Sequence, residues 1–175
     1  MGQVPVMREV VTQLGCFPLD SDKNRQSSFF HQAIDLLKSR QAVGIFPEGT
    51  LPMVEPPEPN RIGEFQRGFA HLALRAPIEE LAILPVAISP QRETINPAIP
   101  LRALSFFDPA EPLFDQEGWH PLVLYQNVNV LIGHPIWITS AQRADYRGKY
   151  AKKSVIEVVD RAHSEIKTLL TQGHF

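Results

Sequence analysis

The sequence has 175 residues and a mass of 19.7 kDa, 43% hydrophobic and 21% charged, which suits one globular domain and excludes a disordered chain. Seventeen basic against nineteen acidic residues leave a net charge of −2, which excludes a polycation built for nucleic acid. Cys16 is the single cysteine, which excludes an internal disulfide and favours a reducing compartment.

In chain order, Met7, Val10, Val11 and Leu14 keep the spacing of a helix face, and Gly15 can end that helix. Phe17–Asp20 reads as a short strand. Phe30, Ala33, Ile34 and Leu37 mark a second helix, with Ser27 or Ser28 as its cap. Ala42–Phe46 is short, apolar and followed by Pro47, which predicts a buried strand. Phe65, Phe69, Leu72 and Ala76 mark a third helix. Ala82–Ile88 predicts another buried strand, and Val123–Ile132 a further, partly alternating one. Val155, Val158, Val159, Ala162, Ile166, Leu169 and Leu170 outline a long amphipathic helix at the end.

Proline punctuates this pattern. There are 16 prolines, clustered in Leu51–Arg61 and Ser89–Pro121, and both stretches read as loops because proline lacks the N–H that a ladder needs. The longest apolar run, Leu81–Ile88, is interrupted by Pro85 and falls short of the roughly 20 residues of a spanning helix. Any membrane contact is therefore expected to be peripheral. Strands alternating with helices predict an α/β fold: a mostly parallel layered sheet flanked by helices, with proline-rich loops. In such sheets ligands sit at the carboxyl ends of strands, which directs attention to the residues after Phe46.

There the sequence reads Phe46-Pro47-Glu48-Gly49-Thr50. Glu48 can accept hydrogen bonds from substrate hydroxyls, Gly49 lets backbone approach a ligand, and Thr50 can donate or accept. Taken alone, the segment also reads as a plain turn. Cys16 reads as a buried, inert thiol. His31 and Asp35 read as a surface pair one helical turn apart. Phe106, Phe107, Phe114 and Trp119 read either as a lipid-dipping loop or as pins for that loop. Arg143, Arg147, Lys149, Lys152 and Lys153, at the approach to the last helix, read as a solvated helix start or a contact for anionic headgroups. No metal-ligand spacing and no glycine-rich phosphate loop is present.

In series, Gly15-Cys16-Phe17-Pro18-Leu19-Asp20, Val43-Gly44-Ile45-Phe46-Pro47-Glu48-Gly49-Thr50, Phe65-Gln66-Arg67-Gly68-Phe69-Ala70 and Leu84-Pro85-Val86-Ala87-Ile88 resemble the glycerolipid acyltransferase family, typified by 1-acylglycerol-3-phosphate acyltransferases. The resemblance covers about Met1–Ser89 and the strand near Val130–Ile136. It implies a single acyltransferase-like domain over residues 1–175. It also implies acyl transfer in phospholipid synthesis from a thioester of coenzyme A or acyl carrier protein, with no bound cofactor. The acceptor is then a hydroxyl of a lysophosphatidate-like glycerol-phosphate lipid, met by a cytoplasmic protein peripheral to the membrane. Acceptor-binding residues carried over are Phe46, Pro47, Glu48, Gly49 and Thr50. Arg67, directly before Gly68 at a helix start, is the best remaining candidate for the phosphate.

The family's H-x-x-x-x-D block, whose histidine is the general base, has no counterpart. None of His31, His71, His120, His134, His163 and His174 has an aspartate five positions on. Ser21 stands where the second block has arginine, and Leu51 and Pro52 where the third has arginine and serine. The expectation is a chain truncated at its amino end, from a start codon set too late, and inactive by itself. The alternative is a non-catalytic lipid- or partner-binding module derived from such an enzyme. An H-x-x-x-x-D in the reading frame upstream of Met1 would favour the enzyme.

Overall fold

The spacing of apolar residues in 30–37 is what a helix needs to bury one face, and α1 (Arg25–Lys38) forms there. The computed structural model describes residues 13, 15–16, 25–49, 62–104 and 117–172. The elements that follow are α2 (Gly68–Arg75), β1 (Ala82–Ile83), β2 (Val86–Pro100), α3 (Leu101–Leu104), β3 (Trp119–Ile132), β4 (Ile136–Trp137), α4 (Ser140–Arg147) and α5 (Ala151–Gln172). The chain divides into two compact units, Met1–Gln32 with Thr94–Leu124, and Ala33–Glu93 with Tyr125–Phe175.

The first unit holds the beginning of α1, where Phe30 is buried and its ring meets that of Phe29 edge-on at 5.5 Å. It also holds α3 and the exposed Arg102–Glu117 ion pair at 3.2 Å. Such an exposed pair stabilises little. Helix α1 starts at Arg25, so Ser27 and Ser28 lie inside its first turn rather than capping it. Ser28 Oγ instead accepts from Gln32 Nε2 at 2.7 Å. His31 Nδ1 lies 2.8 Å from the Ser27 carbonyl, so the imidazole turns back one helical turn instead of forward to Asp35. Cys16 is exposed, which corrects the expected buried thiol.

The second unit is built on α2, α5 and the residues around β4. Ala70, Ala73 and Leu74 of α2 pack with Val155 and Val158 of α5 and with Ile138. The α5 positions recur at helical spacing, so one stripe of a 22-residue helix reaches the core. β1 and β4 pair antiparallel, Ala82 with Trp137 and Ile83 with Ile136. Two backbone bonds flank that short ladder, Ile138 N–H to Leu81 O and Gly133 N–H to Pro85 O, both at 2.9 Å. Arg143 of α4 donates to the carbonyls of Ala76 and Ile78, satisfying groups at the end of α2. Its guanidinium is thus a structural brace.

Helices and strands are mixed as the sequence implies, but the sheet is different. Among the described residues the layered parallel sheet is absent, and two two-stranded sheets, β1 with β4 and β2 with β3, take its place. Residues 42–46 run without a ladder partner, which corrects the predicted strand there. The second proline-rich stretch is not a continuous loop. β2 carries Pro90, Pro97 and Pro100, and β3 begins at Trp119. In a two-stranded sheet each strand has one unpaired edge, where a missing N–H breaks no ladder bond. The first predicted helix beyond Gln13, the strand at 17–20, the loop at 51–61 and Phe106, Phe107 and Phe114 lie outside the described residues. Gly15 adopts a φ of +75°, as a glycine ending a helix does. No helix among the described residues is long and apolar enough to cross a membrane.

Candidate functional site

Phe46-Pro47-Glu48-Gly49 folds as a tight turn. Gly49 N–H points to Phe46 O at 3.4 Å, proline stands at the second position where its fixed φ fits, and Gly49 takes the left-handed φ of +72°. A second bond, Gln66 N–H to Pro47 O at 2.7 Å, ties the turn to the segment entering α2. The turn reading is therefore realised, and the turn holds Glu48 in place.

The Glu48 carboxylate is itself anchored. Its Oε1 accepts the Gly63 N–H at 2.5 Å. A Cβ on Gly63 would stand 3.1 Å from that oxygen, so the close approach depends on glycine. The carbonyl of Gly63, in the next peptide group, lies 3.2 Å from His163 Nε2 on α5. The His163 ring also meets Phe65 edge-on at 4.8 Å. Gly63 thus supports the carboxylate from outside the turn, and its own carbonyl reaches α5 at His163. Sequence reading missed both, because no local spacing links positions 48, 63 and 163.

Beside Glu48 lies an open, apolar cavity of about 650 Å³, within the second unit. That is within the roughly 300–1,000 Å³ range of small-molecule sites. Its walls come from residues 42–48, from α2 and the segment before it through Phe65, Phe69 and Leu72, from residues 81–88, and from α5 through Ile166 and Leu170. Glu48 is the sole polar side chain on this lining, among the described residues. A long aliphatic chain can replace water along such walls without stranding a polar group, and Glu48 can accept a hydrogen bond from a polar end.

The sequence-derived candidates are distributed as follows. Phe46, Pro47 and Glu48 line the cavity, with the Phe46 side chain 84% exposed. Gly49 shapes the turn without lining the cavity. Thr50 lies outside the described residues. Arg67 sits at the start of α2 but lines a separate cleft with His71, Tyr146, Ala151, Lys152 and Val155. Helical geometry explains the division: Phe65 and Phe69 face the cavity, and Arg67 and His71 face away from it. Among the described residues no group of three or more His, Cys, Asp and Glu side chains could hold a metal ion.

Mixed helices and strands surround an apolar cavity whose lining has one carboxylate among the described residues. The family model described as Acyltransferase matches residues 1–89, and the chain belongs to that family. The matched region contains the turn, Gly63, Arg67 and the strand residues of the cavity wall. No curated protein and no solved structure matches the chain.

Proposed function

We propose that the protein transfers an acyl group from a thioester of coenzyme A or acyl carrier protein to a hydroxyl of a lysophosphatidate-like glycerol-phosphate lipid. The observation that carries this reading is the apolar cavity whose one polar side chain, among the described residues, is the family-block residue Glu48. In the reaction the acceptor hydroxyl oxygen attacks the thioester carbonyl. The carbon–sulfur bond breaks, the thiol leaves, and the hydroxyl proton passes through a base to the thiolate. Glu48 orients the acceptor by accepting a hydrogen bond, its carboxylate preset by Gly63. Phe46 and Pro47 line the cavity with Glu48, Gly49 and Thr50 are carried over from the same family block as acceptor-binding residues, and Arg67 serves the phosphate. The exposed Phe46, Leu84, Ile88, Val130, Ile132 and Trp137 side chains support a peripheral place at a membrane surface in phospholipid synthesis.

One observation favours a second reading. No H-x-x-x-x-D occurs in the sequence, so no histidine of that block takes the proton. The second reading is a lipid- or partner-binding module without catalysis. Both are tested by supplying the base as free imidazole. Lysophosphatidate and a labelled acyl thioester are incubated with the full chain, and phosphatidate is counted. A positioned base commonly contributes about 10²–10⁴-fold, so transfer should be slow alone and rise with imidazole. Glu48→Ala should abolish the imidazole-dependent transfer while circular dichroism stays unchanged. Transfer that survives Glu48→Ala rejects the role of Glu48. Lipid binding without transfer at any imidazole concentration establishes the binding module.

A further inference from the structure

Two neighbouring strands turn their more apolar row outward. In residues 84–89, Leu84, Val86 and Ile88 are exposed, while Pro85, Ala87 and Ser89 between them are buried. The polarity is the reverse of the usual pattern, in which a half-covered sheet keeps apolar residues in and polar ones out. β3 runs beside β2, and their ends are tied by Gly133 N–H donating to Pro85 O at 2.9 Å. On β3, Val128, Val130 and Ile132 are exposed, and Asn129 and Leu131 between them are half-buried. Successive residues of a strand alternate faces, so the exposed rows share the outer face. Trp137 extends it: the ring is exposed, and its strand partner Ala82 lies two residues from Leu84 on the same side. All of these residues belong to the second unit. Together their side chains expose on the order of 700 Å², near the roughly 800 Å² that each partner buries in a standard interface. No charged residue interrupts the rows, and Gln126 and His134 stand at the two ends of the β3 row as a polar rim.

We propose that, away from lipid, two copies of the chain pair through this face. A contiguous apolar patch of this size is rarely left bare on a monomer in water. A neutral face of branched side chains is complementary to itself, and a two-fold axis lets one patch serve both copies. Anionic headgroups favour cations among the apolar rows. Here Arg67 and Lys152 line the cleft on the other side of α2 from the cavity that Leu84, Val86 and Ile88 line. A membrane surface would cover the same rows, so the two occupants exclude each other and the pair is the form taken in water. Pairing also covers one wall of the apolar cavity.

The test is sedimentation velocity of the full chain in lipid-free buffer, from about 1 to about 100 μM. The mass should rise from one chain to two over that range and stop there. Val130→Glu puts a charge on the face and should weaken pairing by at least about tenfold. Ile88→Ser, on the other strand, should weaken it without adding charge, with circular dichroism unchanged in both variants. Trp119→Ser removes an exposed ring from the other unit and should change pairing by less than about twofold. A single-chain mass at every concentration would overturn the pairing, and so would species larger than two chains or an equal loss in Trp119→Ser. A chain that stays single in water yet floats with phosphatidylcholine vesicles would assign the face to lipid and likewise overturn it. Pairing needs no acyl transfer, so Glu48→Ala should pair as wild type does, whatever its effect on transfer.

Discussion

Glu48 illustrates how one carboxylate is held in place beside a cavity. A turn fixes its backbone, Gly63 fixes one oxygen, and apolar walls leave it the sole polar side chain in the cavity among the described residues. Phe46-Pro47-Glu48-Gly49 was legible in the sequence because a turn has a local grammar. The support from Gly63 and the link on to His163 were not, because they depend on chain segments far apart in sequence. Glu165 has a different role. Its Oε1 accepts the His134 backbone N–H at 3.0 Å and lies 3.1 Å from His134 Nδ1. The backbone bond first, then the imidazole, hold the carboxyl below its ordinary value. The folded state thus binds the proton more weakly than the unfolded state. Its stabilising contribution is present above the ordinary carboxylate range and is lost as pH falls through the depressed value. Glu165→Gln should lower the denaturant midpoint at neutral pH. The gap from wild type should close as pH falls below the carboxylate range. A gap that is constant with pH would reject the role of ionisation.

At the scale of elements, helices were the most legible feature. The faces read at Phe30–Leu37, Phe65–Ala76 and Val155–Leu170 became α1, α2 and α5, with Phe65 ahead of α2 and Ala76 at its end, because a long amphipathic repeat leaves few other ways to bury its stripe. Helix α4 was missed, since none of its residues is buried and it shows no apolar stripe. Its signal is instead the capping box. Thr139 Oγ1 accepts Gln142 N–H at 3.2 Å, and Gln142 Oε1 accepts Thr139 N–H at 2.9 Å. Strand direction was misread because alternating helices and strands suggest parallel crossovers, whereas β1 and β4 meet antiparallel far apart in sequence. The α2–α5 contact is where packing matters most, with Leu74 2% and Val158 1% exposed. Leu74→Ala should therefore cost about 2–5 kcal/mol in urea denaturation, and Leu74→Met less than about 1.5 kcal/mol. Equal losses would place Leu74 outside the packed core.

For the molecule as a whole, two concavities of opposite lining are kept apart within one unit. An open apolar cavity with Glu48 lies on one side of α2, and a cleft with Arg67 and Lys152 on the other. Family membership was legible because its blocks keep their order over residues 1–89. The division of Glu48 from Arg67 was not, because it follows from the rotation of α2 against α5. The account depends on the apolar cavity holding the aliphatic part of a lipid. Methyl NMR of the full chain during addition of lysophosphatidate tests that most directly. The expected result is saturable shifts at Ile45, Ile83, Ile166 and Leu170, all on the cavity wall, with small changes at Leu74 and Val158 in the neighbouring core. Saturation with those four positions unmoved would contradict it.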